Sequence, residues 1–154
     1  MEDQDERWLR RAIELARMAR EHGNHPFGAL VLGADGEVLA EAENTVVTEQ
    51  DCTGHAETNV IRLVSRRFAP EQLAGSTLYT STEPCAMCSG AIYWSGVGRV
   101  VYGLGAPRFY ASLGPKADEL LVGCHELFSR ASRPVAVSGP LLEDEALAVH
   151  QGFW

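Results

Sequence analysis

The sequence TEPCAMCSGAIYW at residues 82–94 decides how the rest of the chain is interpreted. Pro84 stands where a proline favours the first turn of a helix, and Cys85 and Cys88 follow it three residues apart. That spacing puts both thiols on one side of a helical turn. The dipole and the free N–H groups at a helix N-terminus stabilise thiolates. The stretch therefore predicts a helix that opens with a pair of metal-binding or reactive cysteines.

A second helix, predicted from residue 55 to about residue 68, supplies a third metal ligand in His55. Zinc that is held by one imidazole and two thiolates keeps a fourth position open, which is typical of catalytic zinc. Glu57 lies two residues beyond His55, near enough to exchange protons beside the ion without binding it. We therefore expect one zinc ion at His55, Cys85 and Cys88, with Glu57 as the catalytic proton carrier.

Two other interpretations of the cysteine pair are open at this point. A Cys-x-x-Cys pair can be a redox centre, although that chemistry needs no His-x-Glu sequence. A closed structural zinc site would need a fourth ligand, for which Cys52, Cys124 and His25 are available. The order His-x-Glu followed by Pro-Cys-x-x-Cys matches the recorded signature of zinc deaminases, which favours a catalytic site.

Length and composition indicate one globular domain over residues 1–154. The chain is 45% hydrophobic and 22% charged, which is typical of a packed domain of this size. The acidic N-terminus is unlike a signal peptide and the apolar runs are too short to cross a membrane, so we expect a cytoplasmic protein. A formal charge of −8 argues against a nucleic-acid partner.

The hydrophobic pattern predicts a three-layer α/β fold with a mixed sheet. A first amphipathic helix over residues 5–22 precedes two antiparallel strands, at 27–32 and 38–42. Strands at 77–80 and 99–104 are joined by the cysteine helix, so they should be parallel. The remaining predictions are loops over 44–54 and 106–115, a helix over 117–129, a strand over 134–138 and a helix over 143–150.

The chain resembles the cytidine deaminase superfamily, and within it the guanine deaminases and the tRNA adenosine deaminases. The continuation Gly90-Ala91-Ile92-Tyr93-Trp94 is most similar to bacterial guanine deaminases. The likeness covers about residues 8–105, and the C-terminal part follows neither group closely. The sequences that carry it are Pro26-Phe27-Gly28-Ala29, Asn44, His55-Ala56-Glu57, Leu78-Tyr79-Thr80-Ser81 and Glu83-Pro84-Cys85-Ala86-Met87-Cys88.

This resemblance implies a three-layer α/β/α fold with a mixed five-stranded sheet, a homodimer and one zinc ion per subunit. It also implies hydrolytic deamination of a purine base, with guanine converted to xanthine and ammonia as the leading expectation. The alternatives are another nucleobase, a nucleoside or an aminotriazine, and then a tRNA adenosine. A metal-stabilised binding module without catalysis is the alternative from another functional class.

The resemblance also implies a set of substrate contacts. Asn44 would hydrogen-bond the base while Phe27 and Trp94 enclose it. The structural alternatives are a turn residue for Asn44, a core position for Phe27 and a dimer interface for Trp94. Guanine deaminases carry an acidic residue after the strand that corresponds to 99–104. A C-terminal segment, residues 140–154, would cover the site or dock elsewhere on the protein. The expected substrate-binding set is Asn44, Phe27, Trp94, Ala56, Glu83, Asp118, Glu119 and Trp154.

Overall fold

A five-stranded mixed sheet organises the chain, of which a computed structural model describes residues 3–115 and 117–154. The strand order is β2-β1-β3-β4-β5. β1 pairs antiparallel with β2 and β3, whereas β4 pairs parallel with β3 and β5. The predicted mixed sheet is therefore confirmed. The strands are β1 (Gly28–Leu32), β2 (Val38–Glu43), β3 (Thr77–Thr82), β4 (Arg99–Leu104) and β5 (Ala136–Ser138).

Helices cover both faces of this sheet. α3, α5 and α7 share one hydrophobic core with the sheet, while α1 covers the opposite face and α8 packs against β4. This gives the expected three-layer α/β/α architecture. No helix of the described residues is long and apolar enough for a membrane span. The helices are α1 (Gln4–Glu21), α2 (Val46–Glu49), α3 (Ala56–Ser65), α4 (Pro70–Leu73), α5 (Ala86–Ser95), α6 (Ala106–Leu113), α7 (Cys124–Ser129) and α8 (Glu143–Ala148).

The contact between α1 and β1 shows why the first helix sits where it does. All five residues of β1 are buried, because the strand is covered on both faces and is flanked by two strands. A Cβ atom at Gly28 would lie 2.5 Å from the backbone oxygen of Ala12 and 2.5 Å from the nitrogen of Ala16. Glycine is therefore needed at the start of β1, immediately after Phe27, for the helix to approach this closely.

The C-terminal half departs from the sequence prediction in two places. Residues 106–115 were expected to form a loop, but α6 fills most of this stretch and buries Phe109. A helix was expected over 117–129, but only Cys124–Ser129 is helical, so Asp118 does not begin a helix. The exposed side chains of Leu120 and Leu121 explain the second departure, because this segment buries no continuous apolar face.

The C-terminal segment docks on its own chain. The Arg20 guanidinium, on α1, donates hydrogen bonds to the backbone oxygens of Val149 at 3.0 Å and Gln151 at 2.5 Å. Its Cζ also lies 5.6 Å from the centroid of the Phe153 ring. A cation that binds carbonyls just past the end of α8 stabilises that helix terminus. These contacts fix the direction in which the last residues leave α8.

Candidate active site

Two helix N-termini meet at the candidate metal site. His55 is the N-cap residue of α3 and Cys85 is the N-cap residue of α5, and neither side chain caps its own helix. Both side chains are thus free to point away from their helices toward a shared ligand. The Nδ1 atom of His55 lies 3.5 Å from the Sγ atoms of Cys85 and of Cys88. Within the described chain, these three residues form the group whose ligand atoms could hold a metal ion.

The geometry of the three ligands can be tested against zinc. Zn–S bonds of about 2.3 Å and Zn–N bonds of about 2.0 Å, at a tetrahedral angle, put nitrogen and sulfur about 3.5 Å apart. Both measured separations from His55 Nδ1 are 3.5 Å. The residues therefore fit a zinc ion with three protein ligands, and the family expectation of one zinc is met by the donors present.

The electrostatics of the metal-free site favour a thiolate at Cys85. A hydrogen bond from the Cys88 thiol and the adjacent His55 ring lower the pKa of Cys85 to about 4. The same hydrogen bond and burial raise the pKa of Cys88. The bond to Cys85 also raises the pKa of His55. The Cys85 thiolate is therefore already an anion before a metal ion binds. The Cys88 thiol would lose its proton when the metal ion binds to its sulfur.

A hydroxyl that the sequence analysis did not single out supports the buried thiol. Thr58 Oγ1, on α3, lies 3.2 Å from the Sγ atom of Cys88. A hydroxyl that donates to a ligating sulfur orients it and tunes its charge. The position of Thr58, three residues after His55, was the available signal, because residues at that spacing share one face of a helix.

Glu57 has the environment of a proton-transfer group. Its side chain is buried, and it lines the same cavity as His55 and Cys85. Burial, together with the negative charge of Cys85, raises the pKa of Glu57 to about 7. A carboxyl group with a pKa near neutrality can accept and release a proton within one reaction cycle.

A cavity of about 720 Å³ opens above these groups. This volume is within the range of small-molecule binding sites. Phe27 contributes one wall, and α6 contributes Phe109 and Tyr110 to another. The segment that precedes α7 completes the rim with the apolar residues 120–122. A flat aromatic ligand would therefore lie against aromatic surfaces, with its reactive edge at the metal ligands.

Several carboxylates line the cavity, and they differ in what they already bind. Glu83 accepts backbone hydrogen bonds from Ala106 at 3.0 Å and from Cys124 at 3.3 Å. Glu143 accepts one from Gly105 at 3.0 Å. Glu119 is exposed and has no hydrogen-bond or ion-pair partner among the described residues. Of these three carboxylates, Glu119 is therefore the one whose oxygens are available to a ligand.

The predicted substrate-binding residues separate into two groups. The structure brings Phe27, Glu83 and Glu119 into the cavity wall together with His55 and Cys85. The others do not line it. Asn44 is buried and its Oδ1 accepts a hydrogen bond from the nitrogen of Val46, so it stabilises the start of α2. Ala56 is buried at the start of α3, Asp118 is exposed outside the cavity, and Trp94 is 80% exposed on α5.

Trp154 lies behind the aromatic wall, not in the cavity lining. Its ring centroid is 5.9 Å from that of Phe109 and 6.3 Å from that of Phe27, both of which line the cavity. Its indole N–H donates to the Nδ1 atom of His150 at 3.0 Å. Burial lowers the pKa of His150 to about 4, so this histidine is neutral and accepts the bond at ordinary pH.

Tyr110, His125 and Thr82 are among the cavity residues that the sequence analysis did not single out. Tyr110 lies on α6 and His125 lies on α7, and neither helix contains a recognisable catalytic motif. The Nε2 atom of His125 lies 3.0 Å from the hydroxyl oxygen of Tyr102. Thr82 also lines the cavity, and its buried hydroxyl has no hydrogen-bond partner among the described residues. Its position beside the Glu-Pro-Cys sequence was the available signal.

The zinc-binding region of cytidine and deoxycytidylate deaminases matches residues 2–104 of this chain. The chain belongs to this deaminase family. The matched region contains His55, Cys85, Cys88 and Glu57, so the group of residues that could hold a metal ion lies within the zinc-binding region of this family. Membership of this family argues against the redox and purely structural interpretations of the cysteine pair.

Relatives within this deaminase family act on different substrates. A probable cytosine deaminase of Schizosaccharomyces pombe is 41% identical over 100% of this chain and 94% of its own length. The tRNA-specific adenosine deaminase of Bacillus subtilis is 43% identical over 68% of this chain and 65% of its own length. The guanine deaminase of the same organism is 44% identical over 63% of this chain and 62% of its own length. The chain thus spans slightly less than two thirds of these two bacterial relatives.

A solved structure supports the same assignment of the fold. The guanine deaminase from Nitrosomonas europaea matches with a TM-score of 0.75 and 27% identity. The match covers 97% of this chain and 83% of that one. The zinc deaminase architecture therefore extends through the C-terminal part, where the resemblance detected in the sequence had ended.

Proposed function

We propose that this zinc deaminase converts guanine, or a closely related aminated purine, to its oxo product and ammonia. The observation that carries the proposal is the carboxylate of Glu119 in the cavity wall, which has no hydrogen-bond or ion-pair partner in the described part of the chain. Guanine presents hydrogen-bond donors at N1 and at its exocyclic amine, which need acceptors. A carboxylate without a protein partner supplies acceptors only. The likeness to guanine deaminases of two bacteria supports this substrate class.

The residues of the chain divide the reaction between them. Phe27 and the aromatic wall of α6 would bind the ring, and Glu119 would orient its amino-substituted edge. Glu57 would take one proton from water and pass it to a ring nitrogen, and would then move the proton of the hydroxyl group added to the ring carbon to the leaving amine, so that both protons of the water are used. When bound by His55, Cys85 and Cys88, zinc supplies a Lewis acid that makes water a better nucleophile. Guanine and water would thus give xanthine and ammonia.

Cytosine is the second candidate, because the cytosine deaminase relative matches the whole chain. The reactive edge of cytosine differs from that of guanine, since O2 and N3 are acceptors and require donors from the protein. Thr82, whose buried hydroxyl has no hydrogen-bond partner in residues 3–115 and 117–154, could donate one such bond. A hydrogen bond that is present for one base and absent for another can change the relative kcat/KM by several orders of magnitude.

A tRNA substrate is disfavoured by charge. The formal charge of the chain is −8, and the cavity rim carries Glu119, Glu126 and Glu143. Arg108 also lines the cavity but is engaged by Asp144 at 2.6 Å. Binding to a phosphate backbone requires free cationic groups and would fall steeply with added salt. We therefore propose a small-molecule substrate in the cytoplasm, where the free thiols that bind zinc stay reduced.

Ammonia release from guanine, guanosine, adenine, cytosine, cytidine and aminotriazines tests the proposed substrate. We expect guanine to have the highest kcat/KM of this panel. Glu119→Gln should lower the kcat/KM for guanine about tenfold, because a charge-assisted hydrogen bond is lost. Asp118→Asn is the matched control, because Asp118 is exposed outside the cavity and its replacement should have no effect. Turnover of another base without turnover of guanine would overturn the substrate assignment.

We also propose a homodimer in which Trp94 and Met87 contribute to the interface. Trp94 is 80% exposed and Met87 is 36% exposed, and they lie seven residues apart on one face of α5. Large exposed apolar side chains on one face are typical of subunit interfaces. This arrangement gives Trp94 a role away from the substrate.

The two exposed tryptophans should therefore give different phenotypes. Trp154→Ala should raise the KM several-fold, because the rings of Phe27 and Phe109 lose the indole that supports them. Trp94→Ala should leave the KM unchanged and shift the mass in light scattering from dimer toward monomer. A raised KM in the Trp94 variant, or an unchanged KM in the Trp154 variant, would contradict this division of roles.

A further inference from the structure

Two carboxylates from distant parts of the sequence bind the N-terminus of α6. Glu83, which follows β3, accepts the N–H of Ala106 at 3.0 Å. Glu143, the first residue of α8, accepts the N–H of Gly105 at 3.0 Å. The second oxygen of Glu83 accepts the N–H of Cys124, the first residue of α7, at 3.3 Å. Three backbone N–H groups are therefore satisfied by two side chains.

These contacts replace the local caps that helices normally carry. The N-cap residue of α6 is Gly105 and that of α7 is Gly123, and neither has a side chain that could accept a hydrogen bond. A Cβ atom at Gly105 would lie 3.2 Å from Glu143 Oε2, and one at Gly123 would lie 3.1 Å from Glu83 Oε2. The glycines thus leave the space that the carboxylates occupy. Negative charge at a helix N-terminus is also favoured by the helix dipole.

The anchored elements carry one side of the substrate cavity. α6 supplies Phe109 and Tyr110, and the segment that ends at the start of α7 supplies residues 120–122. Arg108, also on α6, forms a further ion pair with Asp144 of α8. Glu83 itself lies two residues before the zinc ligand Cys85. The Glu83 carboxylate thus connects the metal-binding loop directly to the aromatic wall of the cavity.

We propose that Glu83 and Glu143 are positioning residues that hold the aromatic wall of α6 at a fixed distance from the zinc site. Glu83 would accordingly act through the protein and not by contact with the substrate through its carboxylate. The inference requires only that the chain deaminates some base, and it does not depend on guanine being that base. The wall would contribute to binding of the ring, whereas Glu57 and the metal ligands perform the chemistry.

The test uses Glu83→Gln and Glu143→Gln in the full chain, assayed with the best substrate of the panel above. Each variant should raise the KM about tenfold, since a charge-assisted hydrogen bond is weakened, and should leave kcat within about threefold of wild type. Zinc content should be unchanged. Hydrogen exchange measured by NMR should be faster at the backbone amides of Ala106 and Cys124 in the Glu83 variant, and at the backbone amide of Gly105 in the Glu143 variant.

Glu145→Gln is the matched control, because Glu145 lies on α8 but pairs with Arg10 on α1. Its KM and its exchange at Gly105 should equal those of wild type. A fall in kcat at constant KM in the Glu83 variant would overturn the proposal by placing Glu83 in the chemistry. Unchanged amide protection in both variants would overturn it by showing that α6 does not need the carboxylates. If Glu83→Gln fails to fold, the Glu143 variant decides between these outcomes.

Discussion

Glu57→Gln is expected to lower kcat by a factor of about 10³ to 10⁴ while zinc binding and the fold are retained. Proton transfer by a positioned carboxylate contributes about 10² to 10⁴ to the rate, and here one group is assigned both the acceptance and the delivery of the proton. Glutamine has the same shape but cannot exchange protons. Single-turnover kinetics should show that the chemical step, and not product release, is the step that is slowed.

The same variant carries a prediction for stability. The pKa of Glu57 is raised to about 7 in the folded, metal-free protein, above the value of about 4.5 expected when the chain is unfolded. Its contribution to stability is therefore largest below pH 4.5 and is lost as the pH rises through 7. At pH 8, metal-free Glu57→Gln should therefore have a higher free energy of unfolding than metal-free wild type, as measured by urea denaturation. If Glu57→Gln retained wild-type deaminase turnover, that result would contradict the assigned role of Glu57 in proton transfer.

Cys88→Ser is expected to abolish stoichiometric zinc binding and, with it, measurable deamination. Cys88 is buried, and its sulfur lies 3.5 Å from His55 Nδ1 and 3.2 Å from Thr58 Oγ1. A serine hydroxyl is a poorer ligand for zinc than a thiolate and is not deprotonated as easily. Zinc measured by atomic absorption should fall from one per chain to well below one, and added zinc should not restore activity.

Cys52→Ser is the control for the cysteine variant. Cys52 is exposed, and it stands outside the group of residues that could hold a metal in the described part of the chain. This variant should keep one zinc per chain and wild-type kcat. Loss of zinc from Cys52→Ser would instead support a closed structural zinc site in which Cys52 is the fourth protein ligand. Family membership argues against such a site.

The metal site could be predicted from the sequence because its information is local. The spacing of Cys85 and Cys88 and the position of Pro84 require only the geometry of one helical turn. His55 and Glu57 add a second short motif, and helix packing brings the two together. Strand patterns likewise predicted β1, β3 and β4, because the buried residues of these strands follow each other directly along the chain.

The wall of the cavity could not be predicted because its determinants are distant in sequence. α6 was taken for a loop, since its N-terminal N–H groups are satisfied by Glu83 and Glu143, which lie 23 and 38 residues away from their partners. The exposure of Trp94 likewise depends on tertiary placement, whereas the hydrogen bond that Asn44 Oδ1 accepts from the nitrogen of Val46 is local, two residues along the chain. The resemblance to known deaminases predicted both residues as substrate contacts, but neither of them lines the cavity in this chain.

The central claim is hydrolysis of guanine at a zinc site served by Glu57, and a labelled-water experiment tests it most directly. The zinc-loaded protein is incubated with guanine in water enriched in oxygen-18, and the products are analysed by mass spectrometry together with an ammonia assay. We expect xanthine that carries one labelled oxygen, with one ammonia released per xanthine, and no such product from Glu57→Gln. Absence of xanthine from the zinc-loaded wild-type protein, or xanthine without the label, would contradict the account.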